Sequence, residues 1–245
     1  MLLAIDIGNT NISFGLFLNK KLKQQFDIPL KTYSKLKLLK KLKSLKQISA
    51  TAICSVVPKL TKVLHHDLKI LTGRKPYIIG KDLTVPLKNH YYKPAQLGQD
   101  RLVNAYAAGI LYPAPLVVID SGTAITYDIV DKNKAYLGGL ITPGITISLE
   151  ALNEKTALLP LVKLIKPRTF IGRSTQKSIL SGVVFGLAGS TKELLNKIKQ
   201  STGKSTLVIG TGGNINWIKK YSGLKIKINP QLTLKGINLI YENKI

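Results

Sequence analysis

An aspartate followed two residues later by glycine and then by threonine, at the end of an apolar run, can build a phosphate-holding turn. The pattern occurs at Asp6-Ile7-Gly8-Asn9-Thr10 and again at Asp120-Ser121-Gly122-Thr123. Such a turn offers successive backbone N–H groups that the glycine leaves sterically open, and Thr10 and Asn11 add side-chain donors. The aspartate would repel a phosphate, so a cation must stand between them, and magnesium bound through one or two carboxylates is the usual arrangement. Two such turns facing one another would hold the β- and γ-phosphates of a nucleotide. A third glycine turn, Ile209-Gly210-Thr211-Gly212-Gly213-Asn214, could lie beneath the nucleoside. Any one of these alone is equally a hairpin or strand-to-helix turn; the three together point to nucleotide chemistry.

Phosphoryl transfer also needs a proton acceptor and a cation aimed at the reacting groups, and Gly98-Gln99-Asp100-Arg101 offers both. Asp100 could take the proton of an attacking hydroxyl, while Arg101 could bind a carboxylate or the moving phosphoryl group. An Asp-Arg pair at a helix start is also a common structural ion pair, and the residues alone do not separate the two. Gly203-Lys204-Ser205 imitates the tail of a P-loop, but Ile198 stands where the leading glycine is required and the segment ends a helix rather than beginning one. His65, His66 and His90 have no metal-ligand or triad spacing, and the first two read as helix-surface residues. Cys54, the single cysteine, lies in an apolar stretch and reads as a buried small side chain.

The elements that must position these residues follow from periodicity. Residues 1–7 read as a buried strand and 11–18 as its hairpin partner, with Ile12, Phe14 and Leu16 on one face. A third strand near 21–28 precedes a helix at 31–46, whose Leu36, Leu39 and Leu42 share a face while Lys37, Lys40, Lys41 and Lys43 turn to solvent. Strand 48–57, helix 59–71 and strand 76–79 follow, then a loop at 86–98 and a helix beginning near Asp100. Residues 116–120 form a second apolar strand ending in an acid, and 124–130 continue it, so the chain reads as two related halves. A long helix over 174–200 leads to strand 206–209 and the third turn. Its apolar residues Ile179, Val183 and Leu187 fit a core or a subunit interface equally well. The expected division is 1–115 and 116–245.

With 245 residues, 44% of them hydrophobic, the chain can bury one large core or two modest ones. Asp6 interrupts the N-terminal apolar run before a signal peptide or membrane span could form, so a cytoplasmic protein with no membrane partner is expected. The net charge of +25 would suit a polyanion partner, but all of the 37 basic residues except Arg74, Arg101, Arg168 and Arg173 are lysine. Base or phosphate recognition by bidentate contacts uses arginine, so no nucleic-acid partner is expected.

In order, residues 6–15 (DIGNTNISFG), 98–105 (GQDRLVNA), 119–127 (IDSGTAITY), 138–144 (GGLITPG), 172–175 (GRST) and 211–213 (TGG) resemble the type III pantothenate kinases, over nearly the whole chain. The resemblance implies an α/β, actin-like (ribonuclease H-like) ATPase fold of two related mixed-sheet domains with flanking helices, and a homodimer with its substrate site near the subunit interface. It implies ATP-dependent phosphorylation of pantothenate, with Mg2+, and ATP contacts from Asp6, Ile7, Gly8, Asn9, Thr10, Asn11, Ile12, Ser13 and Thr123. Asp100 corresponds to the proton acceptor, Asp120 to the ligand of a monovalent cation (K+ or NH4+), and Tyr91, Gly98, Gln99, Asp100, Arg101 and Thr175 to pantothenate-binding positions. Gln99 departs from the small residue more usual there, and Tyr92 competes with its neighbour Tyr91 for the role of facing the substrate.

Overall fold

Strand β1 (Leu2–Ile7) is apolar on both faces, and that decides its place. Leu3, Ile5 and Ile7 enter one core while Leu2 and Ala4 enter another, so the strand must lie in the middle of a sheet covered on both sides. Each fully buried leucine or isoleucine contributes about 1.5–3 kcal/mol, so the assignment is strongly driven. The computed structural model describes residues 1–42 and 47–244.

β1 pairs antiparallel with β2 (Asn11–Leu18), which pairs with β3 (Lys21–Pro29). On its other edge β1 runs parallel to β4 (Ala50–Ser55), which pairs with β5 (Tyr77–Ile78), giving the order β3-β2-β1-β4-β5. The second sheet is built likewise. β6 (Leu116–Ser121) pairs antiparallel with β7 (Ala124–Val130), followed by β8 (Tyr136–Pro143), and on its other side lies parallel to β9 (Leu207–Thr211) and then β10 (Lys227–Ile228). The two orders are the same in topology. The two-halves reading, which rested on short matching turns, is thereby carried by the whole hydrogen-bond pattern.

The chain forms two compact units, Met1–Tyr112 with Gln231–Ile245, and Pro113–Pro230. The expected division after residue 115 therefore misplaces the C-terminal segment. Helix α7 (Leu232–Glu242) belongs to the first unit because Leu234, Ile237 and Ile240 share a core with Leu2, Ala4, Phe17 and Val103. It packs on α3 (Gln99–Leu111), where Thr233 donates its hydroxyl to Asn104 Oδ1 at 2.8 Å.

Between these elements, the expected helix over 31–46 is a short 3-10 turn, Leu30–Thr32, followed by α1 (Lys35–Lys41), capped by Ser34. Its buried residue is Leu38, with Leu42 just beyond the helix, whereas Leu36 is exposed; residues 43–46 lie outside the described residues. The core takes the i, i+4 pair that fits under β3 rather than the 36-39-42 set. Helix α2 (Pro58–Thr72) starts on a proline, ends at left-handed Gly73 and buries Leu64 and Leu68, leaving His65 half-buried and His66 exposed. In the second unit α4 (Ile145–Glu154), α5 (Thr175–Thr202) and α6 (Ile215–Ser222) complete the fold, with α5 and α6 covering the Val117, Ile119, Ile125 and Tyr127 face.

Gly236 lets α7 approach α3 closely. A Cβ there would lie 2.6 Å from Val103 Cγ1 and 2.7 Å from the Val103 carbonyl oxygen. Gly236→Ala is expected to lose about 1–3 kcal/mol through overpacking, read by denaturant unfolding. A loss below about 0.5 kcal/mol would mean that the helices are not in such contact.

Candidate active site

Asp6 sits one residue before the end of β1, opposite Ser13 on β2 and beside Cys54 on β4. Strand alternation puts its side chain on the face of Leu2 and Ala4, the face that α3 and α7 cover. Asp100 comes to the same place from the first turn of α3. Both acids act on Cys54, whose thiol is pushed well up, first by burial and then by the charges of Asp6 and Asp100. The first unit therefore gathers Asp6 and Asp100 around the C-terminal end of β4. Cys54 is buried, as expected, and its raised pKa makes it inert rather than nucleophilic.

Asp100 is part exposed as a residue, but its carboxyl is enclosed by protein. Burial raises its pKa, and the backbone N–H of Arg101, the Arg101 charge and its own N–H partly oppose the rise. A carboxylate in that condition holds its proton more readily than a surface acid. Arg101, next on the helix, is buried. Gly98 is the N-cap and provides no side chain; a Cβ there would meet Asp100 Oδ1 at 2.5 Å. Tyr91 is half-buried, its N–H bonded to Asn89 Oδ1 at 2.9 Å, whereas the Tyr92 side chain is wholly exposed.

At the first turn Gly8 N–H donates to Asn11 O at 3.0 Å, so that amide closes the hairpin. Asn9, Thr10 and Asn11 form the exposed tip. The side chains of Ile7 and Ile12 are fully buried, so these two could meet a ligand only through backbone. Ser13 is half-buried on β2.

The second unit repeats this construction. Asp120 sits at the corresponding place in β6, opposite Thr126 and beside Thr211 of β9, and Gly122 N–H closes the turn onto Ala124 O at 3.0 Å. Behind it Thr126 donates to Asp128 Oδ2 at 3.0 Å and Tyr136 donates to Asp128 Oδ1 at 2.8 Å, which satisfies a fully buried carboxylate. Thr175 stands on the exposed first turn of α5, where Ser174 accepts from Lys177 N–H.

The glycines divide into two kinds. A Cβ at Gly8 would lie 3.4 Å from its nearest neighbour and one at Gly122 3.8 Å, both tolerable contacts. The fold does not demand glycine there, whereas a ligand pressed onto the turn would. Gly144 and Gly212 are demanded by packing. A Cβ at Gly144 would collide with Thr123 O and lie 2.6 Å from Gly122 O, and at Gly212 it would strike Asp120 Oδ1. The TPG and TGG segments thus buttress the Asp120–Thr123 turn. The sequence reading expects the turn that holds Gly212 beneath a nucleoside and assigns neither glycine a packing role, because the crowding arises between segments far apart in the chain.

Strands ordered alike around two carboxylate-bearing turns define an actin-like, ribonuclease H-like α/β fold. Among solved structures, the chain is similar to an activator of 2-hydroxyisocaproyl-CoA dehydratase from Clostridium difficile, solved with bound ADPNP, at 12% identity and a TM-score of 0.57 over 99% of this chain and 94% of that one. Residues 2–197 match the family model for type III pantothenate kinase. Curated type III pantothenate kinases from Agathobacter rectalis (38% identity, 100% of this chain and 98% of that protein) and Dehalococcoides mccartyi (35%, 98% and 97%) align over the full length. The chain belongs to the type III pantothenate kinase family.

The two kinds of glycine make a contrast that can be measured. Gly122→Ala is expected to leave stability within about 0.5 kcal/mol while weakening nucleotide use at least tenfold; Gly144→Ala should lose about 1–3 kcal/mol as well. Unfolding curves and nucleotide titrations of both variants decide it, and equal destabilisation by both would remove the argument for a ligand over Gly122.

Proposed function

We propose that this protein transfers the γ-phosphoryl group of ATP to the hydroxyl of pantothenate, giving 4'-phosphopantothenate and opening the route to coenzyme A. Family membership along the full chain carries the reaction. The observation that supports its local chemistry is the enclosed, pKa-raised Asp100 carboxyl beside Arg101 at the start of α3.

In this reading residues 6–13 contact ATP, through backbone at Ile7 and Ile12 and through backbone and side chains elsewhere, and Thr123 donates to its phosphates. Gly98 and Gln99 bind pantothenate through backbone, and Arg101, Tyr91 and Thr175 through side chains; half-buried Tyr91 suits a fixed contact better than the exposed Tyr92. Asp100 accepts the hydroxyl proton as the oxygen attacks phosphorus, and Arg101 balances the negative charge of acceptor or phosphoryl group. Because the hydroxyl is a weak acid, proton transfer comes late, after positioning has done most of the work.

The donor set fits hard cations. Hard cations of this kind are held by one carboxylate with carbonyl and phosphate oxygens. Asp120, near the end of β6 at the second turn, would hold a monovalent cation, K+ or NH4+. Mg2+ would accompany ATP near Asp6. When bound, such ions neutralise phosphate charge; the chain's part is to fix the carboxylates.

We further propose a homodimer. In its support, Phe170, Ile171, Phe185 and the bare Gly182 and Gly186 line an apolar groove along α5, with Phe170 and Ile171 largely exposed. No helix among the described residues is long and apolar enough to cross a membrane, and the reaction is proposed to run in the cytoplasm.

Purified protein with ATP, Mg2+ and pantothenate is expected to form product in K+ and little in Na+. Asp120→Asn should lose the K+ stimulation; an unchanged dependence would overturn its cation role. Asp100→Asn should lower kcat by about 10²–10⁴-fold with pantothenate KM changed only a few-fold, and equal losses in both would count against a base. With the Asp100 pKa raised, the base is active above that value and kcat/KM falls as pH drops through it. The same shift means that ionising Asp100 costs the folded state stability as pH rises through the window between its unfolded and folded pKa. Asp100→Asn should therefore unfold no earlier than the parent at neutral pH.

A further inference from the structure

Gln99 is the first residue of α3, between the N-cap Gly98 and Asp100. Its half-buried side chain lies on Gly80. A Cβ at Gly80 would fall 2.7 Å from Gln99 Cδ and 2.9 Å from both Cγ and Oε1, so the glutamine occupies the space a side chain there would need. Gly80 also has φ +85°, a conformation that favours glycine.

The turn beneath the glutamine is firmly held. Gly80 N–H donates to Leu83 O at 2.7 Å, and the N–H groups of Lys81, Asp82 and Leu83 converge on Ile78 O at 3.2, 2.8 and 3.2 Å. Asp82 Oδ2 accepts from Ile78 N–H at 2.9 Å, and Lys75 Nζ lies 3.5 Å from Asp82 Oδ1. β5 ties this turn to β4, where Ile78 pairs with Ile53, next to the Cys54 on which the Asp6 and Asp100 charges act. α3 begins without a side-chain cap, since Gly98 has none, and the Asp100 carboxyl is engaged by its own helix N–H groups.

We propose that Gln99 is a positioning residue: seated on the rigid Gly80 turn, its side chain fixes the first turn of α3 and so the place of the Asp100 carboxylate beside the acceptor. The contact is one of shape. Cγ of Gln99 together with Cδ and Oε1 of its amide fills the cleft above Gly80, and the turn cannot yield because four amides and a carboxylate hold it. This inference rests on the reading of Asp100 as the base that deprotonates pantothenate.

The test compares Gln99→Ala, Gln99→Met and Gly80→Ala, alone and with Gly80→Ala placed in the Gln99→Ala background. Gln99→Ala should lower kcat by roughly 10- to 100-fold, leave pantothenate KM within about threefold, and keep Tm within about 2 °C. Gln99→Met keeps length and contact without the amide and should retain kcat within about threefold of the parent. Gly80→Ala should cost kcat much more in the parent than in the Gln99→Ala background, because the φ strain is common to both while the collision with the glutamine is not. Parent-like kcat in Gln99→Ala, equal losses in Gln99→Ala and Gln99→Met, or additive effects of the two sites would each overturn the proposal while leaving the kinase reading intact. A parent protein that is folded yet inactive on pantothenate would overturn the kinase reading and this proposal with it.

Discussion

The structure depends on ending a fully buried central strand in a carboxylate. β1 and β6 have their apolar residues packed on both faces, which is the strongest stabilising arrangement a strand offers, and each carries an aspartate as its last residue but one. Just beyond it the backbone turns, and the acid sits part-buried at the rim of the sheet. Hairpin closure by a glycine amide, a hydroxyl residue opposite the acid and a parallel neighbour on the other side occur in both units. The same local solution is found twice in one chain.

Close packing then holds each rim in place. Gly144 and Gly212 bring two later segments into contact with the Asp120–Thr123 turn, and Gly236 brings α7 onto α3, the helix that carries Asp100. Glycine serves here by having no side chain, and interiors packed at crystal density transmit such contacts without slack. Gly8 and Gly122 are open towards their surroundings, so packing within the fold does not require them to lack a side chain.

Charge is distributed against the bulk composition. A chain with 37 basic and 12 acidic side chains keeps four of its acids, Asp6, Asp100, Asp120 and Asp128, in or beside the two sheets' central strands and helix starts. Asp128 is neutralised in effect by hydroxyl donors from Thr126 and Tyr136, and Asp100 by helix amides and Arg101. The lysines lie elsewhere, on exposed faces such as that of α1, where their stems cover apolar surface and their charges remain in water.

The sequence by itself determined the strands that carry Asp6 and Asp120, the returning strand 11–18, the long helix that starts near Ser174, the buried Cys54 and the turns that carry the candidate chemistry. These are local facts: period-two or unbroken apolar runs, capping residues and glycine punctuation. It misjudged the buried side of α1, where a lysine-rich helix offers several leucine sets and only the neighbouring strand selects Leu38. Tertiary structure alone decided that α7 returns to the first unit, that Tyr91 rather than Tyr92 is half-buried, that Gly144 and Gly212 support the second turn, and that Gln99 rests on Gly80. Each of these joins segments distant in the chain through contacts of a few ångströms, and residue type and spacing carry no record of which distant surface will meet which.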